Sequence, residues 1–349
     1  MHLPQTGLST QNNAIRHGKN IFFDLKPSGE RRITSFFSTN DFLNFFRIFL
    51  FELPVSWVIS PTHWANLTRA LASGSIRRHR HRTAHNIEFL NQIVASSTFL
   101  PSAETLELDS VKGRKWERLA YFRSLRPGGW APKIRVHGSE NLAPFLAAGT
   151  GFILWGSPFI ANNLIAKIAY HRLGLDVYHF SRPVHGLSSS RLGIRLLNPL
   201  FTSVELKFLK ARVIAENRTA DALSFLGNII RNGGVASINV GNRGRKTITT
   251  SLLGQSITIA SGPIFLSRKW GSFLVPTFAL KNSDNSFDVW IGTALTSKET
   301  DSSKYCLDIA AQYADQLEPF FLSQPGQWQL WDMLVGKNAH RKANSYRKV

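Results

Sequence analysis

The sequence predicts an α/β fold: a three-layer domain with a central, largely buried mixed sheet flanked by helices, preceded by an N-terminal helical membrane-associating segment. From about residue 131, short apolar runs bounded by glycine alternate with helical patterns, which is typical of a buried sheet covered by helices. Before that point lies a phenylalanine-rich stretch at residues 42–59. A chain of 349 residues that is 43% hydrophobic can also bury a sizeable core, which excludes a disordered or fibrous protein.

Each predicted element follows from its local pattern. Short apolar runs bounded by turn residues predict strands at 134–137, 151–155, 177–180, 235–240, 273–280 and 289–291. Longer patterns, with apolar residues three or four positions apart, predict helices at 162–173, 219–231 and 304–317. The predicted organisation is a polar tail (1–40), an apolar membrane-associating helix segment (41–70), a basic helical region (71–130), an α/β domain (131–335) and a basic tail (336–349).

The composition indicates an anionic partner. Lysine and arginine number 42 against 22 aspartate and glutamate, so the net charge is 42 − 22 = +20. That excess suits nucleic acid, a phospholipid surface or an acidic carrier protein, and the 25 phenylalanines and 9 tryptophans favour a membrane interface among these. The single cysteine, Cys306, excludes an internal disulfide and a cysteine-based zinc site, and favours a reducing, cytoplasm-facing location. No cofactor or metal is predicted.

The apolar stretch at 42–59 is nearly long enough to span a bilayer. It contains Asn44, Arg47, Glu52 and Pro54. Because a charge at the bilayer centre costs about 2.5–3.5 kcal/mol, an anchor lying in the membrane plane is favoured over a span. A buried helix pair broken at Pro54 stays open as the alternative.

A dense basic run, Arg-Arg-His-Arg-His-Arg, follows at residues 77–82. Beside an apolar anchor it suits anionic headgroups, where each cation contributes about 1 kcal/mol. A solvated helix face remains open, whereas nucleic acid is not favoured, because no RNA-binding aromatic spacing, zinc finger or helix-turn-helix accompanies the run. We therefore expect a protein at the cytoplasmic face of the inner (plasma) membrane, either peripheral or anchored by its N-terminal part.

Residues 149–186 read as strand, turn, helix, strand, and the turn Gly-Ser-Pro-Phe at 156–159 lies beyond the carboxyl end of a strand, where α/β sheets usually place their sites. Here the chain resembles the bacterial lipid A biosynthesis lauroyl/myristoyl acyltransferases and their lysophospholipid acyltransferase relatives. Similar blocks recur in order over about residues 70–335, at 136–142 (Val-His-Gly-Ser-Glu-Asn-Leu), 182–183 (Arg-Pro), 232–235 (Asn-Gly-Gly-Val), 252–280 and 325–328 (Pro-Gly-Gln-Trp).

The resemblance implies transfer of an acyl group from a thioester of acyl carrier protein or coenzyme A. It also implies a histidine base followed, five positions later, by an acid that orients it. At those positions this chain has Pro158 and Asn163. In a second turn, at 238–244, the acids of the family are replaced by Val240 and Asn242. The standard mechanism is therefore not expected.

One replacement is a serine–histidine pair. Ser157 is the candidate nucleophile and His185, on the loop after the neighbouring strand, the candidate base, with Asn163 bordering the reacting centre. No carboxylate partner for His185 can be identified from the sequence. The alternative is that Ser157 caps a helix whose first turn contains Pro158.

Two arginines are candidate substrate-binding residues. Arg182, at the end of a strand, suits the phosphate of a lipid headgroup or of a phosphopantetheine arm, because its planar fork donates two hydrogen bonds at once. An ion pair of Arg182 with Asp176 or Glu205 stays open. Arg243, in a glycine-rich turn, is a weaker anion-binding candidate, since that turn also suits a hairpin.

We expect a membrane-surface acyltransferase-like protein that acts on a lipid or carrier-bound acyl substrate without the usual histidine–acid dyad. The alternative is a catalytically inactive relative that binds an acyl-lipid or acyl carrier protein. The two share one fold and one groove, so the fold does not separate them.

Overall fold

The computed structural model describes residues 14–23, 36, 38–95, 97–183, 185–215, 217–242, 244 and 246–334. In this part of the chain the predicted class is confirmed, since a large mixed sheet is flanked by helices. The strands are β1 (Ile15–His17), β2 (Asn20–Phe22), β3 (Ile134–His137), β4 (Phe152–Gly156), β5 (Val177–Ser181), β6 (Ala211–Ile214), β7 (Val235–Asn239), β8 (Thr247–Leu252), β9 (Gln255–Ala260), β10 (Phe273–Lys281) and β11 (Phe287–Ile291).

Nine of these strands form one sheet in the order β1-β2-β6-β5-β7-β4-β10-β11-β3, and β8 and β9 form a separate antiparallel pair. From β2 to β10 neighbouring strands run parallel, as do β11 and β3. Two pairs, β1 with β2 and β10 with β11, are antiparallel. The carboxyl ends of β4, β5, β6 and β7 therefore lie along one edge, where an α/β sheet usually carries its site.

The α-helices are α1 (Thr39–Arg47), α2 (Leu53–Val58), α3 (Trp64–Arg78), α4 (Arg80–Val94), α5 (Ala103–Ser124), α6 (Ala143–Ala147), α7 (Ile165–Arg172), α8 (Arg191–Leu196), α9 (Pro199–Leu206), α10 (Thr219–Arg231), α11 (Gly262–Trp270) and α12 (Ser302–Ser323). A π-helical turn, Ile48–Glu52, joins α1 to α2. Short 3₁₀ turns lie at Pro61–His63, Ser139–Leu142, Ile160–Asn162, Pro325–Gln327 and Trp331–Leu334.

The core lies on both sides of the sheet. On one side α5, α7 and α9 pack, and on the other α10, α11 and α12. Strand β4 shows how one strand serves both, because Phe152 and Leu154 face the first cluster whereas Ile153 and Trp155 face the second. This alternation decides which polar side chains can meet at the site.

Two predictions for the N-terminal part, its helices and its polar tail, can be compared with the structure. Helical elements cover residues 39–58, 61–78 and 80–94, and Pro54 lies in the first turn of α2, where its missing N–H is tolerated, but this helicity does not show that the segment associates with a membrane. The interpretation of residues 1–40 as a tail is wrong for 15–22, because β1 and β2 add to the edge of the sheet beside β6. The polar composition of 15–22 did not indicate strands, because what makes these residues strands is their pairing with β6, a segment far along the chain.

Candidate functional site

A row of polar side chains crosses the sheet on the side covered by α5, α7 and α9. Val177 and Val235 face this side, so the alternation of β5 and β7 brings later residues to the same face. The row consists of Arg212 on β6, His179 and Ser181 on β5, Ser237 and Asn239 on β7, and Thr277 on β10. Asn239 is exposed and the other five are buried, and buried polar groups require partners, which neighbouring strands and the covering helices supply.

Glu205, near the end of α9, is the centre of this polar network and is completely buried. Its Oε1 atom accepts a hydrogen bond from the Tyr121 hydroxyl at 2.6 Å and lies 2.8 Å from His185 Nε2. Its Oε2 atom lies 3.0 Å from the ammonium nitrogen of Lys167 and 3.9 Å from Arg212 Nε. One carboxylate thus joins α5, α7, β6 and the loop after β5.

Charges in this network determine which groups are ionised. Burial opposes ionisation of Glu205, but the nearby His185, Lys167 and Arg212 outweigh it and hold the pKa of that carboxyl well below its ordinary value. Burial, together with the Glu205 charge, raises the pKa of Tyr121 well above the usual range. Glu205 is therefore an anion that only accepts hydrogen bonds, and Tyr121 is a neutral donor to it.

His185 is partly exposed, with 29% of its side chain in contact with solvent, whereas Glu205 and its other neighbours Tyr121, Lys167 and Arg212 are buried. It follows β5 on a turn in which its backbone N–H donates to the Arg182 carbonyl oxygen at 3.2 Å. Because an ionised carboxylate only accepts, the Nε2 atom facing Glu205 carries a hydrogen. In the neutral ring the lone pair is then on Nδ1. The structure thus gives His185 the carboxylate partner that sequence alone did not identify.

The loop that carries His185 is held at two places. The Asn198 side chain accepts from the backbone N–H groups of Leu187 and Ser188 at 2.7 and 2.8 Å and donates to the Ser188 carbonyl at 2.9 Å. Asp41, on α1, accepts from the hydroxyl groups of Ser188 and Ser190, each at 2.5 Å. The loop is therefore tied to both α9 and α1.

Asn163 lies in the turn beyond β4, close to this network. Its Nδ2 donates to Glu117 Oε1 on α5 at 2.9 Å, and its Oδ1 accepts from Asn239 at 3.3 Å. Burial raises the pKa of Glu117 above its ordinary value, although the hydrogen bond from Asn163 lowers it in part. An acid that the turn itself does not carry is thus supplied by α5.

Ser157 and His185 are not brought together. Ser157 is completely buried and its hydroxyl shares a 2.9 Å hydrogen bond with that of Tyr313 on α12. Trp155, two residues earlier, also packs against Tyr313, so Ser157 lies on the side of the sheet opposite to Glu205. The expected serine–histidine pair is therefore wrong, because the alternation along β4 separates its members. Ser157 also does not cap a helix, and Pro158 only presents its carbonyl to the Gln329 N–H.

The two arginine candidates differ in what the structure shows of them. Arg182 is exposed directly after β5. The acids considered as its ion-pair partners bind other groups: Asp176 lies 2.8 Å from Lys210, and Glu205 is held by the network described above. Arg243 lies outside the residues that the structure describes, so its predicted role stays a prediction.

Apolar side chains are exposed along α1 and the π turn. This aromatic surface consists of Phe42, Leu43, Phe45, Phe46, Phe49, Leu50 and Phe51, which are 40–73% exposed. In the described part of the chain no single helix is long and apolar enough to cross a bilayer. One pair of helical segments, Asp41–Val58 and Pro61–Arg78, reaches that length and apolarity together, but it is bent by 110°.

The chain was compared with protein-family models and with curated proteins. No protein-family model and no curated protein matches the chain. Among the described residues no group of three or more histidine, cysteine or acidic side chains is placed to hold a metal ion.

The partners of His185 were missed by sequence reasoning because they are distant in the chain. Glu205 entered only as an ion-pair partner for Arg182, and Tyr121, Glu117 and Lys167 carried no motif. The one local signal was an acid within the otherwise apolar helix 199–206, since such a buried acid needs cationic partners.

Proposed function

We propose that the chain is a membrane-surface acyltransferase in which His185 and Glu205 replace the histidine–acid dyad of the family that it resembles. The single observation that carries this proposal is the 2.8 Å contact between the partly exposed His185 imidazole and the fully buried Glu205 carboxylate. A buried acid that holds one ring nitrogen and leaves the other accessible is the arrangement that general-base catalysis requires.

The proposed step needs no group other than the chain's own side chains, the acyl thioester and the acceptor. His185 Nδ1 takes the proton from an acceptor hydroxyl or amine while the acceptor atom attacks the carbonyl carbon of an acyl thioester. The new acyl bond forms, the carbon–sulfur bond breaks, and the proton passes from the imidazolium to the departing thiolate. Glu205 stabilises the imidazolium, and the hydrogen bond from Tyr121 and the contact with Lys167 fix the position of Glu205.

The second candidate is a catalytically inactive relative that binds an acyl-lipid or acyl carrier protein. It is favoured by the number of groups around Glu205, since Tyr121 and His185 both contact Oε1 and the Lys167 ammonium nitrogen lies 3.0 Å from Oε2. A buried acid with these neighbours also serves as a structural centre that joins α5, α7 and α9. In that case His185 anchors its loop and moves no proton.

We further propose an in-plane membrane anchor at the cytoplasmic face of the inner membrane. It is supported by the exposed aromatic surface on α1 and the π turn and by the basic run at 77–82, which lies at the junction of α3 and α4. Exposed apolar area of this kind partitions into a lipid interface, and neighbouring cations strengthen binding to anionic lipids.

The test is turnover by the full chain on mixed phospholipid vesicles. Acyl thioesters of coenzyme A and of acyl carrier protein are offered with lysophospholipid acceptors, and the released thiol and the acylated product are measured by mass spectrometry. We expect His185→Gln to lower turnover by about 100-fold or more, since a positioned general base typically contributes at least that much. Glutamine keeps a polar group beside Glu205, and Glu205 keeps its contacts with Tyr121 and Lys167.

A matched control exists elsewhere in the sheet. His137 on β3 lies 3.0 Å from Asp288 on β11, also a partly exposed histidine beside a carboxylate. His137→Gln should leave turnover within about twofold of the parent. Equal loss in both variants, or turnover unaffected by His185→Gln, would remove His185 from the mechanism. Bound lipid without turnover in the parent would select the second candidate.

A further inference from the structure

A group of cations lies between the aromatic surface and the His185 network, and the proposed reaction step does not use it. Glu52, at the end of the π turn, is buried and is shared by two guanidinium groups. Arg118 on α5 makes two 3.1 Å contacts from Nε and one 2.5 Å contact from Nη2, and Arg47 Nε lies 3.3 Å away. Two cations on one acid leave this group with excess positive charge.

Lys115 adds a further cation. It precedes Arg118 by three residues on α5, which places both side chains on neighbouring parts of the same helix surface. Among the residues that the structure describes, no acid lies within ion-pair distance of the half-buried Lys115 ammonium group. Burial, then the repulsion of Arg47 and Arg118, lowers the pKa of Lys115 below its ordinary value. Three cations thus lie around one carboxylate.

We infer that Arg47, Lys115 and Arg118, hereafter the α5 cation cluster, bind the phosphate group of a lipid headgroup whose acyl chains lie on the aromatic surface. Each guanidinium group has N–H donors beyond those that contact Glu52, and these donors, with the ammonium group, match a phosphate in charge and hydrogen-bonding capacity. Arg47 ends α1, so the same helix presents the apolar surface and one cation of the site. An amphiphile with a phosphate next to acyl chains is the ligand that fits both.

The position of the cluster agrees with the proposed acceptor, and this part of the inference rests on the proposed function. On α5, Tyr121 contacts Glu205 and lies six residues beyond Lys115, which is about 9 Å along the helix axis. Glu117, between them, reaches Asn163 in the turn beyond β4. Two members of the cluster, Lys115 and Arg118, and two residues that contact the His185 network or the turn beyond β4 therefore lie on the same helix, less than two turns apart.

The test measures binding, so its result does not depend on turnover. The full chain is titrated calorimetrically with dihexanoyl phosphatidic acid below its micelle concentration, with dihexanoyl phosphatidylcholine and with inorganic phosphate. We expect phosphatidic acid to bind more tightly than inorganic phosphate, and Lys115→Gln to weaken phosphatidic acid binding about tenfold. Because no acid is paired with Lys115, this change leaves no buried charge without its partner. A circular dichroism spectrum and melting temperature equal to the parent's confirm that the variant is folded.

The control is a second cationic site at the opposite edge of the sheet. A cavity of about 410 Å³ there is lined by Arg16, Lys19, His171, Lys207, Lys210 and Asp176, among others. Lys210→Gln removes a cation from it and should leave phosphatidic acid binding unchanged. Weakening by Lys210→Gln and not by Lys115→Gln would overturn the assignment, as would equal affinity for phosphatidic acid and inorganic phosphate. Transfer activity with unchanged phosphatidic acid affinity in Lys115→Gln would refute this site and leave the proposed function intact.

Discussion

Asp41 offers the sharpest test of how the His185 loop is held. Its carboxylate is 4% exposed and accepts three hydrogen bonds: from the Ser188 and Ser190 hydroxyls at 2.5 Å and from the Ser38 backbone N–H at 3.0 Å. Burial works against ionisation, but these hydrogen bonds keep the pKa of Asp41 below its ordinary value. The folded state therefore favours the anion, which is what connects α1 to the loop.

The change Asp41→Asn keeps the shape but replaces one accepting oxygen by a donating NH₂ group. Oδ2 accepts from Ser190 and from the Ser38 N–H, so both of these hydrogen bonds are at risk. Hydrogen bonds to a charged group contribute about 1.5–3 kcal/mol each, and hence the expected loss is roughly 3 kcal/mol of unfolding free energy at pH 7. Since a lowered carboxyl pKa gives stability above the unfolded-state value of 3.8 that is lost as pH falls through the folded-state value, the difference from the parent should shrink in acid.

The assay combines urea unfolding, followed by tryptophan fluorescence at pH 7 and pH 3, with hydrogen exchange of residues 187–193. Exchange in this segment should rise in Asp41→Asn by more than global destabilisation explains. Asp308→Asn is the control, because Asp308 also accepts from a side chain, Gln312 at 2.9 Å, but is half-exposed on α12. A loss below about 0.5 kcal/mol, or exchange in the loop equal to the parent's, would refute the view that Asp41 holds this loop.

Three further predictions follow from other sites. Glu117→Gln should raise the melting temperature at pH 7 but not at pH 4, because burial raises the pKa of Glu117, and this acid therefore destabilises the fold as pH rises above 4.5; equal shifts at both values would contradict this. Gly151→Ala should cost about 2–4 kcal/mol in urea unfolding, since the added methyl meets the backbone carbonyl oxygens of Ile230 and Gly234, whereas Gly262→Ala, where the added methyl meets no atom within 4 Å and φ is not positive, should cost less. Phe46→Ser with Leu50→Ser should lower binding to anionic vesicles at least tenfold at unchanged stability, because both side chains are exposed; Leu307→Ser, at a similarly exposed α12 position, is the control, and retained vesicle binding would exclude α1 as the anchor.

The local sequence pattern predicts a helix or strand of this chain well where all the signals for that element lie within the element itself. Helix α10 agrees with its predicted bounds because its apolar stripe, first-turn acid and last-turn arginine all lie within 219–231. Strand β6 was not predicted, because it has four residues and its second, Arg212, is a buried cation that reads as a surface residue. An arginine is stable there because Ser181 and Asn20 accept hydrogen bonds from its guanidinium group and Glu205 lies 3.9 Å from its Nε.

The site was less predictable than the fold for the same reason. His185 was identified as a candidate base from its place after a strand, and the structure does put it beside an acid. The pairing of Ser157 with His185 failed because position along the chain does not tell on which face of β4 a side chain lies. Glu205 lies 20 residues beyond His185 and Tyr121 lies 84 residues before Glu205, so no spacing rule connects them.

The arrangement on α5 explains how one helix serves both proposed sites. Within two turns, Arg118 contacts Glu52 in the π turn after α1, Glu117 reaches the turn beyond β4, and Tyr121 contacts Glu205. A shift of α5 along its axis would therefore move a bound phosphate and the Tyr121 hydroxyl that donates to Glu205 by the same amount. The large apolar cluster around Trp116 and Leu119 opposes such a shift, because these buried side chains interlock with the sheet. Substitutions that loosen this packing should therefore weaken phosphate binding and acyl transfer together, whereas Lys115→Gln should weaken phosphate binding more than acyl transfer.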